Sequence, residues 1–431
     1  LAVARRPAAD LAIPWPQHST FATVDVIVLP MLNSRRMSCR VVAAGVNQFY
    51  AQDDEMEPRK KPSKGISRRN FVKTAAAAAV GTTALATGCR QDVGGPNIIS
   101  NKTFEWRMVL FWGKGSKVLG EGAQNLATWI ETMSQGRLRI KVYGANERVP
   151  AGGVFEAVGE GDAELGHCAS YYWAGDVKAA QFFAAVPFGM NAQQMNAWIY
   201  HGGGQALWDE VYEPFGVMGM PAGNTGVQMG GWFNREINAI GDFKGLKMRM
   251  PGIGGAVLNR AGAEVVNKPP GELYSSLETG LIDATEWVGP YHDYLMGFHE
   301  VAKYYYYPGW HEPGTVLELI VNRKAFEALP ADLQEIIRTA AFRANLSVLS
   351  ELEAKNNDHL KILVGQHKVD LRRFPDEVLR QLKIYSRETI DKLCSGDPQS
   401  RKVYDAFSSF QKTVNAWGAV SERAMHELDD I

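Results

Sequence analysis

Apolar and polar residues alternate from 104 to 112, the period-two pattern of a half-buried strand. From 118 to 133 the period lengthens to that of a helix, and Gln135-Gly136 supplies the turn chemistry that ends one. A second alternating strand covers 138–143, a short helix 153–160 and a third strand 163–169. A β-α-β-α-β order predicts parallel pairing within an α/β lobe. Residues 191–212 form the next helical stretch, with Asn191 placed to cap it and Gly202-Gly203-Gly204 placed to break it. Strands are expected at 217–221, 227–233, 246–250 and 284–288, with a helix at 253–261, which together make a second α/β unit. Beyond Pro330 the pattern becomes helical throughout: 332–367, 376–393 and 402–428.

The N-terminal part follows a different logic. Ser67-Arg68-Arg69-Asn70-Phe71-Val72-Lys73 fits the twin-arginine export pattern, after a basic stretch and before a short alanine-rich run that closes on Leu85-Ala86-Thr87-Gly88-Cys89. The run 74–87 is too short to span a bilayer, which needs roughly 20 apolar residues. Small residues before Cys89 fit either a lipoprotein box, with the cysteine lipidated, or plain cleavage near 86–88. The expected organisation is an N-terminal extension over 1–55, export signal and linker over 56–100, a first lobe over 102–223, a second over 224–312, and over 313–431 a return to the first lobe with C-terminal helices. Met56 opens a precursor of ordinary form, so the first 55 residues are read as a misplaced start or an untranslated extension.

Composition narrows the function. The 431 residues carry a formal net charge of -1, which gives no electrostatic footprint for nucleic acid. Four cysteines do not make a disulfide framework, and none has zinc-site spacing. Outside the extension and signal only Cys168 and Cys394 remain, a pair that sequence leaves open. Gly113-Lys114-Gly115-Ser116-Lys117 lacks the spacing of a phosphate loop, and Gly252-Ile253-Gly254-Gly255 that of a dinucleotide fingerprint. No G-x-S-x-G or H-E-x-x-H is present, and Pro313 keeps His311-Glu312 out of a zinc-binding helix.

Three segments carry candidate chemistry. Lys247-Met248-Arg249 brings a guanidinium to the end of a strand, beside a glycine turn and a helix N-terminus, where a fork of donors and free N–H groups can hold a carboxylate. Glu286, between apolar neighbours, needs a cationic partner, for which Arg249 or a metal would serve. Trp287 offers an apolar wall or a backbone carbonyl. Asn224 and Gln228, in a glycine- and amide-rich crossover, offer side-chain oxygens. With a chelating 2-oxo acid these make an all-oxygen site suited to sodium or calcium. Tyr171-Tyr172-Trp173, Tyr304 to Tyr307 and Trp310 are aromatic bursts of the kind that line pockets; half of the four tyrosine rings are expected in the core.

These segments, with Val186-Pro187-Phe188-Gly189-Met190, Gly223 to Phe233, Ala284 to Pro290 and Pro308 to Pro313, resemble the DctP-type substrate-binding proteins of tripartite (TRAP) transporters. The similarity is to the branch that binds 2-oxo acids or lactate with a metal ion. The resemblance implies a bilobal periplasmic-binding-protein-like α/β fold, two lobes around a ligand cleft with a long-helix C-terminal region. It implies that Arg249 holds the carboxylate and that Gln228, Glu286 and the Trp287 backbone coordinate Na+ or Ca2+. Asn224 and an aromatic among Tyr171, Tyr172 and Trp173 complete the pocket. It further implies a periplasmic location, membrane permease subunits as partners, and a homodimer through the C-terminal helices as one option. A periplasmic enzyme using Glu286 and His311 as acid and base, and a purely structural lipoprotein, are the competing readings.

Overall fold

The computed structural model describes residues 101–430, so the expectations placed on residues 1–100 lie outside the described residues. In chain order its main elements begin with β1 (Phe104–Leu110), α1 (Leu119–Met133), β2 (Leu138–Tyr143), α2 (Val154–Glu160) and β3 (Leu165–Cys168). Next come α3 (Ala192–His201), α4 (Gly204–Tyr212), β4 (Val217–Asn224), β5 (Gly231–Phe233), β6 (Lys247–Arg249), α5 (Gly252–Arg260), β7 (Glu264–Val266), β8 (Ala284–Thr285) and α6 (Pro290–Leu295). The last part contains β9 (Tyr304–Tyr307), β10 (Val316–Asn322), α7 (Ala331–Gly365), β11 (Asp370–Arg373), α8 (Asp376–Ser395) and α9 (Pro398–Val420).

Two sheets organise the molecule. The first runs β2-β1-β3-β10-β4, the second β11-β9-β5-β8-β6-β7. The first three strands pair in parallel as their spacing predicted, with Trp106 opposite Ile140 and Met108 opposite Leu165. In β2 the alternation is visible directly, since Leu138 and Val142 are buried while Arg139 and Lys141 face solvent. Helix α1 buries Leu119, Ala123, Leu126, Ala127 and Ile130, one face at helical spacing. It stops as expected: Gly136 adopts φ 76° and returns its N–H to the Glu131 carbonyl at 2.8 Å. Asn191 caps α3 in a reciprocal box with Gln194, and Gly203, at φ 86°, separates α3 from α4.

Strand β10 is one of the elements the local pattern did not place. It inserts between β3 and β4, antiparallel to both. The chain therefore passes between the sheets through 225–230 after β4 and returns through 308–315 before β10. These crossovers lie side by side. Thr225 N–H reaches the Thr315 carbonyl at 2.9 Å, Gln228 N–H the Glu312 carbonyl at 3.1 Å, and Gly309 N–H the Gln228 carbonyl at 2.9 Å. The strand expected over 227–233 is confined to Gly231–Phe233: Gln228 N–H bonds to the other crossover and Met229 N–H to the Val288 carbonyl, so regular strand pairing begins only after them. A Cβ on Gly309 would stand 2.1 Å from the Gln228 carbonyl oxygen, so only glycine permits the approach.

Helix α7 provides a third passage, from β10 to β11. It contacts both halves: Asn345 donates to Asn196 of α3 at 2.8 Å, and Asn356 accepts the Tyr291 N–H of α6 at 3.1 Å. Strand β11, which the reading of 313–431 did not include, joins the edge of the second sheet in parallel with β9. Helix α9 starts at Pro398 rather than 402, because Asp397 caps it through the Ser400 N–H, and it ends at Val420. Tyr304, Tyr305 and Tyr306 are all buried, more than simple alternation predicted, since β9 is central and covered on both faces. Tyr305 stacks on Trp232 with ring centroids 4.0 Å apart, and Tyr306 on Phe374 at 4.7 Å. Cys168 and Cys394 are both buried and free. Among the described residues no helix is long and apolar enough to cross a membrane.

Candidate functional site

Arg249 ends β6 and is 1% exposed, so its charge demands partners. It finds three. Nη1 pairs with Glu286 Oε1, Nη2 donates to the Tyr172 hydroxyl at 3.2 Å, and Nε donates to the Lys268 carbonyl at 3.4 Å. The Trp287 ring lies under the guanidinium, 5.4 Å from Cζ. Burial works most strongly on the Arg249 charge and disfavours it, but the Glu286 carboxylate together with Tyr172 and Tyr171 outweighs burial and holds the guanidinium pKa above its usual value.

Glu286 was expected in mid-strand. Strand β8 instead ends at Thr285, and Glu286 is the first residue beyond it, where the chain leaves the sheet. The segment is held open by Asp293, which accepts from Val288 N–H at 3.0 Å, Trp232 Nε1 at 3.0 Å and the Tyr305 hydroxyl at 2.8 Å. Burial pushes the Asp293 carboxyl up to about 7. The tyrosine strand thus serves the site indirectly, through Asp293.

The crossovers complete the cluster. Glu286, His311 and Glu312 present ligand atoms within 4.8 Å of one another, all buried. His311 Nε2 stands 3.5 Å from Glu286 Oε2. Neither of its ring nitrogens has a hydrogen-bond partner among the described residues. Gln228 Nε2 donates to Glu312 Oε2 at 2.8 Å and lies 3.2 Å from the Thr225 hydroxyl and 3.3 Å from that of Thr315. Its Oε1 is buried without a partner among the described residues. Burial, then the Glu286 charge, push the Glu312 carboxyl up to about 7.

This donor set fits a hard cation. An orphaned amide oxygen costs free energy unless something electropositive meets it. One guanidinium facing two carboxylates leaves the buried cluster negative when both are ionised, and an incoming carboxylate would deepen the imbalance. A bound Na+ or Ca2+ corrects it and prefers oxygen ligands.

Sequence reading therefore located Arg249, Glu286, Trp287, Gln228 and Tyr172 in one place. Tyr171 packs edge-on against Tyr172, centroids 4.7 Å apart, and Gly252, at φ 62°, lets α5 start against its Cβ. Burial raises the pKa of both phenols, which stay neutral. Two expected residues have polar atoms bonded to other groups. Asn224 accepts the Gly226 N–H at 2.8 Å and donates to the Gly314 carbonyl at 3.4 Å, bracing both crossovers. Trp173 points its indole N–H at Glu318 of β10, 2.7 Å away, in the core of the first lobe. Glu312 and Thr315 were missed as site residues. The available signal was an acid between His311 and Pro313 in a segment already marked by the resemblance.

Two α/β lobes, joined by paired crossovers that carry buried, ligand-ready polar groups, define a two-lobed solute receptor. Residues 111–397 match the family described as bacterial extracellular solute-binding protein, family 7 (DctP), and the chain belongs to it. A monocarboxylate 2-oxoacid-binding periplasmic protein of Nostoc sp. (strain PCC 7120) is 42% identical over 366 residues, covering 83% of this chain and 97% of its own. Among solved structures, a TRAP periplasmic solute-binding protein from Pseudoalteromonas atlantica T6c, with bound sodium and pyruvate, matches at 42% identity and a TM-score of 0.74, covering 76% of this chain and 99% of its own. One from Colwellia psychrerythraea, with bound calcium and pyruvate, matches at 41% and 0.74, covering 77% and 100%. The chain is thus a solute-binding component of a TRAP-type transport system rather than an enzyme.

Proposed function

We propose that the chain captures a small 2-oxo or 2-hydroxy monocarboxylate, pyruvate foremost, together with Na+ or Ca2+, and delivers it to membrane permease subunits. The observation that carries this reading is the buried, unpartnered Oε1 of Gln228, whose Nε2 is bonded to Glu312 in the cluster that also holds Glu286, the partner of Arg249. Arg249 would hold the carboxylate, while Gln228 Oε1, a Glu286 oxygen and the Trp287 carbonyl would hold the ion. Tyr171, Tyr172 and Trp287 would bound the small apolar end. The pyruvate-bound relatives support the assignment.

Binding would favour the closed arrangement only through contacts made in that arrangement. Stripped of ligand, the protein should gain about 2.7 kcal/mol of stability at 100 times the dissociation constant of its ligand. Thermal shift against pyruvate, lactate and longer 2-oxo acids, with and without sodium or calcium, tests this. A cation-dependent shift is expected, and no shift with any carboxylate would overturn the reading.

Export would follow the twin-arginine route, supported by Arg68-Arg69 and tested by retention of Arg68→Lys/Arg69→Lys precursor in the cytoplasm. Lipidation at Cys89 is tested by mass spectrometry of the exported chain. Exposed Trp417 and Val420 on α9 support a dimer through the C-terminal helices, tested by sedimentation.

A further inference from the structure

The loop Gly113-Lys114-Gly115-Ser116-Lys117, which binds no phosphate by its spacing, has a different role. It follows β1 of the first sheet and is locked onto α1. Ser116 accepts the Gly120 N–H through both its carbonyl and its hydroxyl, each at 3.0 Å, and Gln124 Nε2 donates to the Lys114 carbonyl at 2.8 Å. Val118 closes the loop at φ 62°, ψ -60°, a conformation rare for a β-branched residue and that of the more strained form of γ-turn. That turn leaves the Lys117 carbonyl accepting Leu119 N–H at 2.7 Å with a lone pair still free.

The second partner comes from the opposite lobe. His292 of α6, 2% exposed, stands with Nε2 2.8 Å from the Lys117 carbonyl. A carbonyl only accepts, so Nε2 carries the proton. Nδ1 is then an acceptor, and it meets the indole N–H of Trp287. Both ring nitrogens are matched by the one neutral tautomer. Trp287 in turn packs on the Arg249 guanidinium.

We propose that His292 is a positioning residue that couples lobe closure to ligand retention, by tying the Trp287 wall of the carboxylate pocket to the Lys117 carbonyl of the other lobe. It touches no ligand. It acts through Trp287, and its bond to Lys117 exists only where the lobes meet. The inference rests on the carboxylate-receptor reading above.

The test compares pyruvate association and dissociation rates, with sodium present, for the chain and for His292→Asn, His292→Gln and Lys117→Ala. Asparagine can serve Trp287 but falls short of Lys117, so its dissociation rate should rise about tenfold while association stays within about threefold. Glutamine reaches the Lys117 carbonyl and should recover part of the loss. Lys117→Ala keeps the carbonyl and should dissociate as the unchanged chain does. Ligand-free melting temperatures should agree, since a closure contact contributes nothing to the open form. An unaltered dissociation rate in His292→Asn, or a matching fall in ligand-free stability, would overturn the proposal. Absence of pyruvate binding by the unchanged chain would instead overturn the receptor reading. The tie is then judged from the imidazole nitrogen spectrum of His292: the Nε2–H tautomer supports it, and the Nδ1–H tautomer, which cannot accept from Trp287, sinks it.

Discussion

Gln228 and Glu312, 84 residues apart in sequence, meet at 2.8 Å where the two crossovers run side by side. One amide nitrogen on one carboxylate oxygen thereby joins two of the three passages between the lobes. The same side chain keeps its Oε1 buried with no donor of its own among the described residues. Binding and hinge geometry are built from the same residues.

Removing the guanidinium should damage both affinity and stability. Arg249→Ala deletes the carboxylate fork and leaves Glu286 buried without its cation. Losing one partner of a buried pair costs about 3–5 kcal/mol. Calorimetry should find pyruvate binding weakened at least about a hundredfold, and urea denaturation should find the ligand-free chain destabilised by that order. Full stability in the variant would mean that Glu286 is compensated by other groups.

The charge on Glu312 should favour a divalent ion over a monovalent one. Glu312→Gln keeps the shape and a hydrogen-bonding oxygen while removing a negative charge within 4.8 Å of Glu286. Calcium-supported pyruvate binding should then weaken about tenfold more than sodium-supported binding. Titration with each ion at fixed ionic strength checks this, and equal losses would count against Glu312 as part of the ion's field.

Gly309→Ala should act without touching the ligand. Its Cβ would fall 2.1 Å from the Gln228 carbonyl oxygen, far inside contact distance, so the crossovers must separate. A loss of roughly 2 kcal/mol or more in stability, in the range of strained backbone substitutions, is expected. Ligand affinity should fall with it, because Gln228 moves. Gly115→Ala, which meets nothing within 4 Å, is the control.

In the first lobe, Glu318 is wholly buried and accepts from Cys168 Sγ at 3.1 Å, Trp173 Nε1 at 2.7 Å and the Tyr212 hydroxyl at 2.8 Å. Burial outweighs these donors and pushes its carboxyl up to about 7. The folded chain therefore binds this proton more tightly than the unfolded chain. The stability it contributes is complete below the unfolded pKa and is lost as pH rises through about 7. Relative to Glu318→Gln, the unchanged chain should lose roughly 3 kcal/mol between pH 4.5 and 7.5. Paired denaturation curves across that range check the sign.

Much of this molecule is written locally. The strand and helix periods between 104 and 169, the Asn191 cap, the Gln135-Gly136 stop and the glycine break at 202–204 are short-range effects, and each appears where the pattern put it to within about two residues. The residue types of the site were legible for the same reason. A buried arginine, a carboxylate among apolar neighbours and an amide in a glycine-rich crossover each imply a partner from their own chemistry.

Which partner each one finds was decided only by the tertiary structure. Nothing within β10 says that it inserts antiparallel between β3 and β4, yet that insertion carries His311 and Glu312 back to Gln228. Trp173, adjacent to Tyr172 in sequence, is turned away by Glu318, while Tyr172 reaches Arg249. Sequence alone determined most of the elements, the two-lobed class and the chemical kinds present, because periodicity, capping and burial cost act over a few residues. The assembly of Glu312, His292 and Lys117 around the pocket depends on pairings more than a hundred residues apart for the last two, and those are settled by packing the whole chain.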